Sequence, residues 1–263
     1  MSTLIVESDG CTQVWTLNRP LVRNALDEAL VDQLGEALDA ARTADIRVVI
    51  LRGTGPSFCA GADLRQFSDM KADGRSPVPF LRKISQLTVE IEHSDLIFIA
   101  ALHGHAVAGG LELALACDVV VAEAGTVIGD GHLRRALLPG GGASVRLRAK
   151  LGAAIASWLA LSGELVPVEQ LDRSGWVHRV VPSGGALAAA RGLARVLVAS
   201  DRAAQVAYKQ LLRANWPIPT ASFDRELAFF EHNWLTGEVE SGLAAFLSAS
   251  PPPGDHDSAE ARS

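Results

Sequence analysis

The sequence predicts an α/β fold, and three observations support this prediction. Short apolar runs typical of buried strands recur in the first half of the chain, at residues 47–52, 96–101 and 119–122. Segments with apolar residues at helical spacing lie between them. After Ser144 the pattern changes and helical segments dominate. Strands that alternate with helices pair in parallel through crossover connections, so the first half predicts a mainly parallel sheet.

The N-terminal elements follow from local patterns. Residues 4–7 and 13–17 are β-type runs, and the sequence Ser8-Asp9-Gly10 between them is typical of a hairpin turn. A helix is predicted from Asp27, where apolar residues begin to recur at helical spacing. These residues are Leu30, Leu34, Ala37, Leu38 and Ala41.

Two further helices are expected between the later strands, at residues 80–91 and 111–117. Residues 69–79 are rich in Gly, Pro and charge, which predicts a mobile loop. In the second half, apolar spacing predicts a series of helical segments. They are residues 144–151, 153–162, 168–174, 186–199, 203–212, 223–234 and 240–247.

The change of pattern suggests how the chain is divided. We expect an α/β core over residues 1–195, a C-terminal helical region over residues 196–250 and a disordered tail over residues 251–263. The tail is polar and begins with three prolines and a glycine, a composition that does not support a packed core.

Composition and charge limit the classes of function. The chain has 263 residues, of which 48% are hydrophobic and 21% charged, which is ordinary for a globular protein with a real core. Its net charge of -6 argues against nucleic acid as a partner, because phosphate binding requires a basic face. Cys11, Cys59 and Cys117 are far apart and odd in number, which predicts a reducing compartment rather than a disulfide framework. Because they form no Cys-x-x-Cys pair, no metal site is expected.

Targeting signals are not visible in the sequence. Residues 1–10 lack the basic and apolar regions of a signal peptide. The longest apolar run, near residues 96–102, is too short to span a bilayer. We therefore expect a soluble, cytoplasmic protein without a membrane partner.

Two segments rich in small residues are the first candidates for a functional site, residues 53–64 and 104–112. Each follows a strand and precedes a helix, so a ligand could approach free backbone N–H groups, and the second helix would add its positive dipole end. Two converging donors would form an oxyanion hole for a carbonyl oxygen. The alternative is that both are tight turns in which glycine supplies a positive φ. Neither segment fits the G-x-G-x-x-G dinucleotide pattern well.

Several motifs occur in a set order along the chain. They are residues 18–20 (NRP), 23–26 (RNAL), 57–64 (SFCAGADL), 108–118 (AGGLELALACD) and 138–142 (LPGGG), with weaker matches at residues 161–164, 180–182 and 240–246. In order and spacing these motifs resemble those of the crotonase (enoyl-CoA hydratase/isomerase) family over almost the whole chain. The resemblance implies a crotonase-type spiral of ββα turns with a helical C-terminal region that packs in trimers, often paired into hexamers.

The resemblance also implies how a substrate is held. In the family, the backbone N–H groups of the residues that match Ala60 and Gly109 hold a thioester carbonyl and stabilise an enolate. The basic residue that lies near the coenzyme A phosphates matches Arg23. The segment that lies along coenzyme A matches Ala60, Gly61, Ala62, Asp63 and Leu64. The substrate is then a coenzyme A thioester, and no tightly bound cofactor is implied.

Glu112 is the first candidate catalytic residue. It lies three residues after Gly109, in the first turn of a predicted helix, where it can face the oxyanion site and where the helix dipole favours its ionised form. The alternative is a glutamate placed only for helix stability. Family hydratases carry two glutamates that hold a water between them, and the resemblance implies that Glu112 is the first.

The second family glutamate precedes the Pro-Gly-Gly motif by a set distance, and counting back from Pro139 places His132 at that position. An imidazole can accept or donate a proton near neutral pH, but as a neutral ring it carries no negative charge to orient water. Asp130 could orient the ring or supply a second carboxylate. The alternative is a histidine that packs or points to solvent.

Arg134 and Arg135 are expected to be surface or interface charges, because charged pairs are usually solvated.

Three reactions fit these residues. A hydratase would use Glu112 to position water for the β-carbon of a 2-enoyl-CoA and His132 to handle the α-proton. An isomerase would use one base to move a proton between the α- and γ-carbons. A hydrolase would activate water with His132 and Asp130 to cleave a C–C or thioester bond. We expect hydratase or isomerase chemistry first and hydrolysis second, with an acyl-CoA-binding protein that has lost turnover as the non-enzymatic alternative.

Overall fold

The computed structural model describes residues 2–215 and 217–249, and it has the predicted α/β architecture. The strands are β1 (Leu4–Asp9), β2 (Thr12–Leu17), β3 (Val48–Gly53), β4 (Ile97–Leu102), β5 (His105–Val107), β6 (Val119–Glu123), β7 (Val127–Gly129), β8 (Val166–Pro167) and β9 (Val177–Val181). The helices are α1 (Glu28–Thr43), α2 (Leu64–Ala72), α3 (Val78–His93), α4 (Gly109–Ala116), α5 (Ala143–Leu151), α6 (Ala153–Ser162), α7 (Ala186–Ala199), α8 (Arg202–Asn215), α9 (Thr220–Thr236) and α10 (Val239–Ala249). Short 3-10 helices lie at Pro20–Val22, His132–Arg135 and Val168–Ser174.

The main sheet has the strand order β1-β2-β3-β4-β6-β9. β1 and β2 form the predicted antiparallel hairpin, in which Leu4 pairs with Leu17. From β2 to β9 the strands pair in parallel, as expected for strands joined by helical crossovers. Every residue of β4 is buried, which is typical of a strand covered on both faces.

The main sheet separates two hydrophobic layers. Val48 and Ile50 of β3 pack with α7 on one face. Val49 and Leu51, which point the other way, join the larger core beneath α1, α3 and α4. The continuous apolar run that predicted β3 therefore reflects burial on both sides of the strand.

A smaller sheet, β5-β7-β8, lies next to the candidate site, and the sequence pattern does not predict it. β5 pairs with β7 in parallel, and β7 pairs with β8 in antiparallel fashion. Its strands have only two or three residues each, which is too short for an alternating pattern to be visible. β9 is also missed, because His178 and Arg179 interrupt its apolar run.

The prediction of a mobile loop over residues 69–79 is wrong. α2 continues to Ala72 and α3 begins at Val78, so only five residues connect them. α2 is stabilised at its start by Asp63, whose carboxylate accepts the Arg65 N–H. Phe67 and Met70 are its buried residues, and most of the other residues of the helix are polar.

The C-terminal helices fold back over the core. α9 packs against α3 and α5, and α10 packs against α2 and the 3-10 helix His132–Arg135. Phe67 of α2 meets the rings of Phe230 and Trp234 of α9 at centroid distances of 6.4 and 6.1 Å. These contacts close the candidate site from the C-terminal side.

Two expectations about the organisation of the chain stay predictions. The division of the chain at residue 195 stays a prediction. The tail predicted to be disordered, residues 251–263, lies outside the described residues. In the part of the chain that is described, none of the helices combines the length and the hydropathy needed to cross a bilayer.

Candidate active site

The two segments rich in small residues meet in the structure. Cys59 forms an isolated parallel bridge with Ala106. The Val107 N–H donates to the Cys59 carbonyl at 3.1 Å. A Cβ on Gly61 would lie 2.9 Å from the Cβ of Ala108, so a larger residue would clash at this position. The small residues are needed because the two backbones pass in contact.

The structure corrects which amides are available as donors. The Ala60 N–H donates to the Arg23 carbonyl at 3.0 Å, so the donor role predicted for Ala60 is wrong. Among the described residues, no acceptor is found for the N–H groups of Ala62 and Gly109. A Cβ on Gly109 would lie 3.4 Å from the Ala62 nitrogen, so the two amides are neighbours. The neighbouring amides without an acceptor are therefore those of Gly109 and Ala62, and not those of Gly109 and Ala60.

The start of α4 explains the free amide of Gly109. Gly109 is the first residue of the helix, where N–H groups have no acceptor within the helix. Ala108 before it has a φ of 50°, which is uncommon for a residue with a Cβ and is typical of a functional turn. The Ala108 N–H donates to the Gly129 carbonyl at 3.0 Å and joins the start of α4 to β7. The positive end of the helix dipole is thereby held at the site.

Glu112 lies one turn into α4 and is buried, with 2% of its surface exposed. Its Oε1 accepts the N–H groups of Gly141 and Ala143, at 2.8 and 3.0 Å. Its Oε2 has no donor among the described residues and remains available to a ligand. The carboxylate is therefore fixed by one oxygen and free at the other.

Glu226 of α9 is a site residue that the sequence analysis missed. It is buried, and it accepts the N–H groups of Gly142 and Ser144 at 2.7 and 2.9 Å. It also accepts the Ser144 hydroxyl. The signal that could have revealed it is a charged residue on the buried face of α9, one turn before Phe230.

Asp130 and His132 form a pair immediately after β7, in which Asp130 is buried and His132 is partly buried. Asp130 Oδ1 lies 2.8 Å from His132 Nδ1 and also accepts the His132 N–H at 3.3 Å. The two side chains are 4% and 12% exposed. Burial lowers the pKa of His132, but the hydrogen bond and charge of Asp130, with the more distant charges of Glu112 and Glu226, outweigh it and raise the pKa to about 9. His132 is therefore an imidazolium at neutral pH.

A cavity of about 320 Å³ brings these groups together. Glu112 and His132 line its polar part. Phe67, Phe230 and Phe246 line its apolar part, which α9 and α10 complete. The cavity thus joins a carboxylate, an imidazolium and free amides to an apolar space, which is the usual composition of a small-molecule site.

The residues predicted to bind coenzyme A do not all line the cavity. Those that do are Arg23, Ala60, Ala62 and Leu64. The Asp63 carboxylate instead contacts Arg19 at 3.0 Å and caps α2, so its role lies in the fold. Gly61 has no side chain, which allows the backbone of this segment to pass in contact with Ala108.

Arg134 and Arg135 also line the cavity, although the sequence predicts surface or interface charges. Arg134 is exposed, and Arg135 is only partly so. The Arg135 guanidinium lies 5.2 Å from the ring centroid of Phe246. No carboxylate partner is found for either arginine within the ranges described, so both charges are available at the cavity.

Comparison with known proteins gives consistent matches. A model of the enoyl-CoA hydratase/isomerase family matches residues 7–254. The chain is 35% identical over 256 residues to 2,3-dehydroadipyl-CoA hydratase from Escherichia coli K12, covering 96% of this chain and 98% of the relative. It superimposes on the crystal structure of an enoyl-CoA hydratase from Mycobacterium tuberculosis H37Rv with a TM-score of 0.76 and 34% identity, over 89% of this chain and 100% of the other. An enoyl-CoA hydratase/isomerase from Xanthobacter autotrophicus Py2 superimposes with a TM-score of 0.79 and 28% identity, over 95% and 99% of the two chains.

Proposed function

The chain belongs to the enoyl-CoA hydratase/isomerase family, and we propose that it adds water to the double bond of a 2-enoyl-CoA thioester. One observation carries the proposal: the amides of Ala62 and Gly109, the Glu112 carboxylate and the His132 ring all face one cavity. Together they supply an oxyanion hole, a base and an acid, which are the groups that hydration of an activated double bond requires.

The thioester oxygen is proposed to accept the N–H groups of Ala62 and Gly109. When water adds to the β-carbon, the electrons of the double bond move to this oxygen and form an enolate. Two preorganised donors stabilise the developing negative charge, and the positive end of α4 adds to the effect. The loss of one such donor costs roughly 100- to 1000-fold in kcat in other enzymes.

Glu112 is proposed to be the general base. Its Oε1 is held by two amides, so Oε2 is the oxygen that takes a proton from water. The water oxygen forms the new bond to the β-carbon as its O–H bond breaks. Because the carboxylate is fixed, its free oxygen has a defined position relative to the substrate.

His132 is proposed to be the general acid. Asp130 holds Nδ1, so Nε2 is the nitrogen that can donate a proton to the α-carbon of the enolate. The raised pKa of His132, to about 9, keeps the ring protonated at neutral pH. After donation the neutral ring regains a proton as Glu112 loses one, so water is added and both groups return to their starting states.

Hydrolysis is the second candidate, because the contact of 2.8 Å between Asp130 and His132 resembles the acid–histidine pairs that activate water. The raised pKa argues against it at neutral pH, since an imidazolium cannot accept a proton. Isomerisation of the double bond would use the same oxyanion hole with a single base.

The coenzyme A moiety is proposed to lie along Ala62 and Leu64, with Arg23 near its phosphates.

We further propose that the chain assembles as a homotrimer or a dimer of trimers. Tyr208, Leu211 and Leu212 of α8 expose 66%, 56% and 60% of their surface, which supports a contact between copies. Light scattering during gel filtration tests this, and a monomer at micromolar concentration would contradict it. Cytoplasmic localisation stays a prediction.

The function is tested by incubating the chain with a series of 2-enoyl-CoA thioesters and measuring the masses of the products by mass spectrometry. Hydration adds the mass of one water to an intact thioester, isomerisation leaves the mass unchanged, and hydrolysis releases fragments. We expect the first outcome.

Glu112→Gln should lose about 1000-fold in kcat while it still binds coenzyme A thioesters, because one proton acceptor is removed. An unchanged rate in this variant would exclude Glu112 as the base.

A further inference from the structure

Four consecutive backbone amides, those of residues 141–144, are shared between two buried carboxylates. Glu112 accepts from the first and third, at 2.8 and 3.0 Å. Glu226 accepts from the second and fourth, at 2.7 and 2.9 Å. The two carboxylates therefore take alternate amides of this segment.

We propose that Glu226 is a positioning residue for Glu112: it holds residues 141–144 in the conformation in which the first and third amides are aimed at Glu112. The inference rests on the proposed function, in which Glu112 is the base. Glu226 lines a depression of about 850 Å³ that is different from the cavity lined by Glu112, so it acts on the substrate only through Glu112.

The segment needs such a restraint because of its sequence. Residues 140–142 are three glycines, which have the greatest backbone freedom of any residue. α5 begins at Ala143, so the amides of its first turn have no acceptor within the helix and require other partners. Without Glu226, the amides of Gly142 and Ser144 would lose their acceptors, and the glycines would allow the segment to turn toward new ones.

A turn of this segment would move the base. The Gly141 and Ala143 amides are the donors found for Glu112 in the described chain, and both belong to the segment. A Cβ on Gly141 would lie 2.6 Å from Glu112 Oε2, so the segment also packs directly on the reactive oxygen. A shift of about 1 Å at a catalytic group costs roughly 100-fold in rate.

The charge of Glu226 is suited to this role. Burial raises its pKa, the negative charge of Glu112 raises it further, and the bonds from the Ser144 hydroxyl and the backbone amides oppose both, with the result at about 7. A carboxylate accepts amide hydrogen bonds more strongly than a carboxylic acid does. The hold on the segment should therefore strengthen as the pH rises through about 7.

The other charged groups near Glu226 have their own partners or face solvent. Arg146 of α5 contacts Glu92 at 3.0 Å and also donates to the Gly141 carbonyl of the segment at 3.1 Å. Arg82 of α3 contacts Asp224 at 3.1 Å. The cations that line the same depression as Glu226 are Arg148 and Arg225. Glu112 is the negative group whose charge acts on Glu226. His132 is a further titratable group whose charge interacts with that of Glu226.

The test compares three purified full-length variants with the parent. The substrate is one 2-enoyl-CoA whose acyl chain carries no charge. Glu226→Gln keeps the size of the side chain but turns one acceptor oxygen into a donor nitrogen. Glu226→Asp keeps the charge with a shorter reach. Asp224→Asn is the matched control, since it removes an exposed carboxylate two residues away on the same helix. For each we measure kcat, KM, the thermal midpoint and the pH profile.

We expect Glu226→Gln to lose about tenfold to 100-fold in kcat, with KM within threefold and without the rise in kcat near pH 7. Glu226→Asp should lose less, and Asp224→Asn should stay within twofold. A folded Glu226→Gln variant with the parental kcat and pH profile would overturn the inference, as would a loss of rate equal to its loss of folded protein. Should Glu226→Gln fail to fold, parental kcat in Glu226→Asp would overturn it. If the parent itself hydrates none of the thioesters, the proposed function fails instead, which is a separate outcome.

Discussion

Asp130 Oδ1 lies 2.8 Å from His132 Nδ1, and the Asp130 side chain is buried while that of His132 is 12% exposed. This contact makes His132 different from an isolated histidine. The carboxylate stabilises the imidazolium and holds the proton on Nδ1, so Nε2 is the nitrogen that Asp130 leaves free. We propose that this acid–histidine pair takes the place of the second glutamate that the family resemblance implies.

The first prediction concerns the pH dependence of turnover. If His132 acts as an acid, kcat should fall as the pH rises through about 9, where the ring loses its proton. Asp130→Asn removes the charge that raises this pKa, so the fall should begin at lower pH. Steady-state rates from pH 6 to pH 10 measure this. His178→Gln removes an exposed histidine and is the control, because it should leave the pH at which kcat falls unchanged. If that pH is also unchanged in Asp130→Asn, the assignment of His132 as the acid is contradicted.

The second prediction concerns stability. The pKa of His132 is raised in the folded chain from 6.5 to about 9, so the folded state holds this proton more tightly than the unfolded state. Its contribution to the free energy of unfolding is complete below pH 6.5 and is lost as the pH rises through about 9. The contribution is on the order of 3 kcal/mol.

Urea denaturation of the parent and of Asp130→Asn at several pH values measures this contribution. The parent should be more stable than Asp130→Asn at pH 6, and the difference between their free energies of unfolding should shrink toward pH 10. A difference that stays constant with pH would mean that the contact does not change the proton affinity of the ring.

The third prediction separates Ala62 from Ala60 as the amide donor. Replacing one amide by an ester, through a hydroxy acid at residue 62, removes the N–H without changing a side chain. We expect kcat to fall roughly 100- to 1000-fold. The matched ester at residue 60 removes the bond to the Arg23 carbonyl and should affect mainly stability. A larger rate loss from the ester at residue 60 would restore the original assignment.

The fourth prediction uses Gly141 as a steric probe of the base. A Cβ here would lie 2.6 Å from Glu112 Oε2, so Gly141→Ala should displace the carboxylate and lower kcat by roughly 100-fold. Gly35→Ala is the matched control, because nothing lies within 4 Å of its Cβ position in α1. That change should stabilise the chain by about 0.5–1 kcal/mol and leave kcat unaltered. Normal turnover in Gly141→Ala would place the reactive carboxylate elsewhere.

Much of the fold could be predicted from local sequence. The family and the crotonase-type α/β fold are confirmed, and the helix predicted at residues 153–162 has the bounds of α6. Long elements with a regular apolar period are visible in one sequence. The strands of the small sheet and of β9 are not, since they are held by partners distant in the chain rather than by a pattern of their own.

The site was predictable where a motif names the residue and not where a distant contact decides its role. Gly109, Glu112 and His132 lie together in one cavity, as the motifs suggest. The choice between Ala60 and Ala62 depends on the carbonyl of Arg23, which takes one of the two amides. Glu226 comes from a helix more than 80 residues after the segment it holds. Neither contact can be read from the local sequence.

The central claim is that Ala62 and Gly109 present two amides to a single thioester oxygen, with Glu112 and His132 beside the carbons that react. The most direct measurement is a crystal structure of the chain with a bound 3-hydroxyacyl-CoA. We predict that the thioester oxygen lies about 3 Å from both nitrogens, with Glu112 Oε2 near the 3-hydroxyl group and His132 Nε2 near the α-carbon. A thioester oxygen that contacts neither amide, or a β-carbon out of reach of Glu112, would contradict the account.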